Sequence, residues 1–181
     1  MSTIKKEDAI FIAIDFQERL LPAMNNCKEL EATMVKMAEG MKVLNIPTIV
    51  TQQYTKGLGS TTQPIAEALG RFEPIDKTTF SALGQEAFIN ELKASGKKTT
   101  IITGIETHIC VQQTAIDLLE KGYNVYVVKD CVASRKDSDN LCSQERMARA
   151  GAVITTYESV LYELLGGAKA EGFKAISAIV K

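Results

Sequence analysis

Among its 181 residues the chain carries one histidine, His108. That scarcity excludes a good deal of chemistry. A two-histidine metal site is impossible, and any Ser-His-Asp or Cys-His arrangement would have to use this one residue as its base. Long apolar runs are lacking as well: "AIFIAI" (9–14) is too short to cross a bilayer. The N-terminal "MSTIKKED" has no signal-peptide anatomy, so the cytoplasm is the expected compartment. Lys and Arg are scattered in ones and twos around a formal charge of −1, so no basic stripe recruits nucleic acid or a charged membrane surface. Four cysteines (Cys27, Cys110, Cys131 and Cys142) include no C-x-x-C pair, and free thiols are expected. No G-x-G-x-x-G follows the first strand-like run, and "KGLGST" (56–61) lacks the P-loop pattern, so no nucleotide cofactor is implied.

What is present is a hydrophobic share of 45%, enough for one domain over residues 1–181 with a substantial core. Apolar runs alternate with helix-period stretches. "AIFIAID" (9–15), "IPTIVT" (46–51), "FEPIDK" (72–77), "TTIITG" (99–104), "NVYVVKD" (124–130) and "AVIT" (152–155) read as strands. Between them, Leu30, Met34, Met37, Met41 and Leu44 mark one helix face, and residues 84–96, 108–121 and 138–151 are helical. Two helical pieces, 159–166 and 170–181, close the chain. β-branched runs joined by helices signal a parallel sheet covered on both faces. The expected fold is a three-layer α/β/α sandwich around a doubly wound six-stranded parallel sheet, Rossmann-like, in the order 3-2-1-4-5-6.

In such sheets ligands sit beyond the carboxyl ends of the strands. Strand one ends in Asp15, strand two in Gln52 and Gln53, strand three in Lys77, and strand four in the loop before Cys110. Taken singly, each has a plain explanation: Asp15 as a cap, Lys77 as a loop lysine, Cys110 as a small core residue. Together they supply what thiol-based acyl transfer needs without histidine. A helix start and Lys77 are expected to lower the Cys110 pKa, and Asp15 to accept and return its proton. The orientation of His108 is left open, Cys27 and Cys142 are expected to pack, and the stretch after strand two is expected to be a mobile loop over the pocket mouth.

At these residues the chain resembles the isochorismatase-like cysteine hydrolases. The resemblance lies in "AIDFQERL", "DKTTFSAL" and "TGIETHICVQQTAIDLLEKGYNVYVVKDCVASR", and covers nearly the whole length. "TQQYTKGLGST" and "YESVLYELLG" look most like the small isochorismatase domain-containing proteins of that superfamily. The resemblance implies a triad of Asp15, Lys77 and Cys110. It also implies a cis peptide between Ile105 and Glu106, and an oxyanion hole from the backbone N–H groups of Glu106 and Cys110. Metal-binding nicotinamidases of the superfamily carry Asp-x-His after strand two and a further His; here "TQQYTKGLG" has neither residue, so no metal is expected.

The function expected is a metal-independent cysteine hydrolase that cleaves a small amide, carbamoyl or related acyl substrate through a thioester. The alternative is a binding or scaffold module that keeps the triad with little turnover. Phe16, Gln53, Tyr54, Phe80 and Ile109 are expected to line the pocket. None of them is an arginine that could grip a carboxylate bidentately, so a neutral or weakly polar acyl group is the expected substrate. A homodimer or larger homo-oligomer is expected from the resemblance and the apolar helices.

Overall fold

β1 (Ala9–Ile14) is buried at all six positions. Successive strand residues point to opposite faces, so a strand buried throughout needs a core on each side. Two cores are present. Ala9, Phe11 and Ala13 join one cluster, while Ile10, Ile12 and Ile14 join another. Burying each of those isoleucines contributes roughly 1.5–3 kcal/mol, so β1 anchors both layers at once. The computed structural model describes residues 3–70 and 72–181.

In chain order the remaining elements are α1 (Cys27–Val43), β2 (Thr48–Gln53), α2 (Thr55–Leu58), α3 (Gln63–Leu69), β3 (Ile75–Lys77), α4 (Glu86–Ser95), β4 (Thr99–Ile105), α5 (Gln112–Glu120), β5 (Asn124–Ala133), α6 (Asp137–Ala150), β6 (Val153–Thr155), α7 (Tyr157–Leu165) and α8 (Phe173–Val180). The strands form one six-stranded, fully parallel sheet in the order β3-β2-β1-β4-β5-β6. Helices α1, α3, α7 and α8 bury their apolar faces in the first cluster, and α4, α5 and α6 in the second. This is the expected three-layer arrangement and strand order. The Leu30–Met34–Met37–Met41 face lies in the first cluster as its spacing demands.

The segment after β2 departs from expectation. It is not an open loop. It contains α2 and α3, and it is tied back to residues 16–19: Glu18 N–H donates to the Ser60 carbonyl at 2.9 Å, Arg19 N–H to Leu58 at 3.1 Å, and Thr62 N–H to Phe16 at 3.0 Å. Pro64 early in α3 and Gly70 just after it were the start and stop signals. β3 is also shorter than expected and β5 longer. The extension of β5 through Ala133 carries Cys131 into the sheet interior.

β1 and β4 meet tightly at their carboxyl ends. Gly104 pairs in register with Ile14 and has φ +148°. A Cβ there would lie 2.5 Å from Ile14 Cβ and 2.6 Å from the Ile14 carbonyl oxygen. Only glycine fits, and its absence of side chain brings the chain end leading to Cys110 close to the one leading to Asp15.

Candidate active site

Asp15 follows β1 directly, with a left-handed backbone (φ +57°) and a side chain that is wholly buried. Its N–H donates to the Thr51 carbonyl at 3.1 Å, which keeps the residue beside β2. Thr51 Oγ1 donates to Oδ1 at 2.8 Å, and Lys77 Nζ donates to Oδ2 at 2.7 Å. Both oxygens therefore hold a donor, the condition under which a buried carboxylate is tolerated.

Lys77 closes β3, and its side chain is equally buried. Besides Asp15, its ammonium donates to Gln53 Oε1 at 2.7 Å and to the carbonyls of Phe80 at 3.2 Å and Thr79 at 3.3 Å. The β2–β3 register sets Gln53 beside Lys77, which is why those two side chains meet. A buried ammonium without such partners would shed its proton.

Cys110 reaches the same spot from β4. It sits in a single π turn, Thr107–Val111, that precedes α5, with Val111 N–H donating to the Glu106 carbonyl at 3.3 Å. Such turns inside helices occur often at functional sites. The Ile105–Glu106 peptide bond just before it is cis. The Cys110 side chain lies near enough to both Asp15 and Lys77 for each charge to act on its acidity. Carboxylate, ammonium and thiol are thus brought together.

The thiol's acidity runs against the sequence expectation. Burial, and next the nearby Asp15 carboxylate, push the Cys110 pKa up to about 12, while Lys77 pulls the other way without prevailing. Cys110 is only 5% exposed, and desolvation disfavours the thiolate more than one ammonium favours it. In the resting protein the group is a thiol next to a carboxylate.

The five expected wall residues divide. Gln53 is at the site, but its amide is engaged: Oε1 takes Lys77, and Nε2 donates to the Thr78 carbonyl at 3.0 Å. Phe80 presents its carbonyl to Lys77 while its ring is exposed. Tyr54 is exposed too, and its ring lies against Gly57. Ile109 packs against the second core cluster. Phe16, 1% exposed, is part of the first cluster, on the α1 side of the sheet. Outside the site, Cys131 is buried as β5 requires, whereas Cys142 is exposed on α6 and does not pack as expected.

Three further polar residues, Thr51, Arg135 and Ser134, had not been singled out from the sequence. Thr51 holds Asp15, as described. Glu106 accepts a charge-assisted hydrogen bond from Arg135 Nε at 2.6 Å, with the arginine well exposed and the glutamate nearly buried. His108 Nδ1 lies 2.9 Å from Ser134 Oγ, so that ring nitrogen faces the end of β5. Periodicity cannot find such pairs, because their partners lie 26 to 36 residues apart. No three His, Cys, Asp or Glu side chains gather to hold a metal ion among the described residues, and no helix there is long and apolar enough to cross a membrane.

The isochorismatase domain model matches residues 9–159. The chain belongs to the isochorismatase family. Isochorismatase domain-containing protein 1 of Salmo salar is 38% identical over 172 residues, which are 95% of this chain and 60% of that protein. The chain thus spans about three fifths of that curated relative. Among solved structures, the MAR1 ribonuclease of Caenorhabditis elegans superposes with a TM-score of 0.93 at 37% identity, over 99% of this chain and 92% of the other. The YcaC gene product of Escherichia coli, described as an octameric hydrolase of unknown specificity, gives a TM-score of 0.89 at 26% identity, over 93% and 85%.

Proposed function

We propose that this chain is a cysteine hydrolase for a small amide, carbamoyl or related acyl compound, with Asp15, Lys77 and Cys110 as its catalytic residues and no metal. The observation that carries the reading is the buried Lys77–Asp15 pair, 2.7 Å apart, set near the Cys110 thiol at the carboxyl ends of β3, β1 and β4.

A thiol held next to a carboxylate suits activation on demand. As Sγ attacks the substrate carbonyl carbon, the thiol proton passes to Asp15. The backbone N–H groups of Glu106 and Cys110 serve as the oxyanion hole for the tetrahedral oxygen. Collapse expels the leaving amine, which takes the proton from Asp15 and leaves a thioester on Cys110. Water then attacks the thioester carbonyl, giving its proton to Asp15. That proton returns to sulfur as the acid leaves, so the cycle closes with one water consumed. Lys77 holds the Asp15 carboxylate in place through their 2.7 Å contact and stabilises negative charge as it forms on sulfur.

A neutral acyl group remains the preferred substrate. Arg135 is paired with Glu106, just before the turn that carries Cys110, and so brings no net positive charge there. An RNA substrate, raised by the name of the C. elegans relative, suits a chain of formal charge −1 less well. The octameric E. coli relative supports a homo-oligomer here too.

The second reading, a binding or scaffold module with little turnover, draws on the same raised thiol pKa, since a resting thiol is a weak nucleophile. A hydrolysis panel of small amides, ureas, activated esters and an RNA oligonucleotide separates the two. The enzyme reading expects turnover of a neutral acyl compound that Cys110→Ala and Asp15→Asn each abolish. Turnover that survives Cys110→Ala, or cleavage of the RNA alone, would refute it.

A further inference from the structure

Gln17 is a wholly buried glutamine that takes no direct part in the triad. Its position explains its use. The left-handed turn at Asp15 ends β1, and the last β1–β2 register pair is Ile14 with Thr51. Two residues further along β2, at Gln53, strand pairing on that side would fail and leave buried backbone groups without partners. The Gln17 amide takes the missing strand's place. Its Oε1 accepts from the Gln53 N–H at 2.7 Å, and its Nε2 donates to the Gln53 carbonyl at 3.0 Å and to the Gly59 carbonyl at 2.7 Å.

With its backbone clamped at both N–H and carbonyl, Gln53 has a fixed direction for its side chain. That side chain points at Lys77: Oε1 accepts from Nζ at 2.7 Å, and Nε2 is anchored on the Thr78 carbonyl at 3.0 Å. A continuous path of short hydrogen bonds therefore runs from Gln17 through Gln53 to the ammonium.

We propose that Gln17 is a positioning residue, which aims the Gln53 amide oxygen at Lys77 and so holds the ammonium between Asp15 and Cys110. The inference rests on the triad reading given above. A residue that merely satisfied backbone groups would affect stability alone. A positioning residue must also change the chemistry of sulfur, because a loosened ammonium stabilises the thiolate less and raises the thiol pKa further.

The test is the rate of Cys110 alkylation by iodoacetamide, read residue by residue by mass spectrometry from pH 8 to 10. Gln17→Met should lower that rate at every pH by about threefold or more, the effect of about half a pH unit on a thiol titrating above the range. In a Gln53→Met background the same change should add nothing, since the path is already cut. An unchanged rate in Gln17→Met, or an equal fall in both backgrounds, would overturn the proposal. If Gln17→Met does not fold, Gln53→Met decides the matter, because an unchanged rate there removes the relay. Two controls isolate the underlying triad. Lys77→Met should slow alkylation and Asp15→Asn should speed it, following the sign of each charge. If neither moves the rate, the triad reading has failed. If both do and Gln17→Met does not, only the role of Gln17 has failed.

Discussion

Lys77→Met replaces the buried ammonium by an apolar chain of similar length, and its consequence for stability can be worked from the geometry. The substitution leaves the Asp15 carboxylate buried beside β1 with one donor, Thr51 Oγ1 at 2.8 Å, where it had two. Removing one partner of a buried ion pair typically costs about 3–5 kcal/mol. The remaining threonine hydroxyl offsets part of that, which places the expected loss near the lower bound, about 3 kcal/mol. For a chain of this size each kcal/mol moves the melting temperature by about 2–4 °C, so Tm should fall by about 6–12 °C. Urea denaturation at pH 7 followed by circular dichroism would measure the loss directly. The double variant Asp15→Asn with Lys77→Met should recover much of it, because no unpaired charge is then buried. A Lys77→Met protein within about 0.5 kcal/mol of the parent, a change expected of surface sites, would refute the claim that this pair is a buried and mutually dependent unit.

Three other outcomes follow from the same geometry. Because burial and Asp15 push the Cys110 thiol up to about 12, its iodoacetamide reactivity at pH 7 should trail that of exposed Cys142, and should climb about tenfold per pH unit from pH 7 to 10. A plateau below pH 9 would mean the thiolate forms far more readily than its surroundings allow. Gly104→Ala places a Cβ 2.6 Å from the Ile14 carbonyl oxygen and should cost more than about 2 kcal/mol in chemical denaturation, with near-parental stability as the contrary result. Prolonged dialysis against EDTA should leave hydrolysis unchanged, and loss of activity restored by added zinc would contradict the metal-free reading.

The sheet was legible because its signal is local. Runs such as "AIFIAI" and "TTIITG" announce strands buried on both faces, and the polar residue ending each run marks the rim. The proximity of Asp15 and Lys77 followed from that topology before any distance was known. The thiol's acidity did not, because the sign of its shift depends on how much water three packed elements exclude, and burial is a tertiary quantity. Residues 54–70 were misread for a different reason. α2 is only four residues long, so it carries no periodicity, and the glycines around it suggested freedom that the hydrogen bonds to residues 16–19 remove. Gln17 escaped notice because its partners, Gln53 and Gly59, lie 36 and 42 positions away. Arg135 escaped likewise, since its partner Glu106 stands on a different strand end.

Trapping the acyl group on sulfur is the most direct test of Cys110 as the nucleophile. Intact-protein mass spectrometry during turnover of an activated ester or amide should show one added acyl mass, and peptide mapping should place it on Cys110. The adduct should decay as product appears, while in Asp15→Asn it should not form or should persist. Product release with no acyl mass on Cys110 at any time after mixing, or an adduct confined to exposed Cys142, would contradict that assignment.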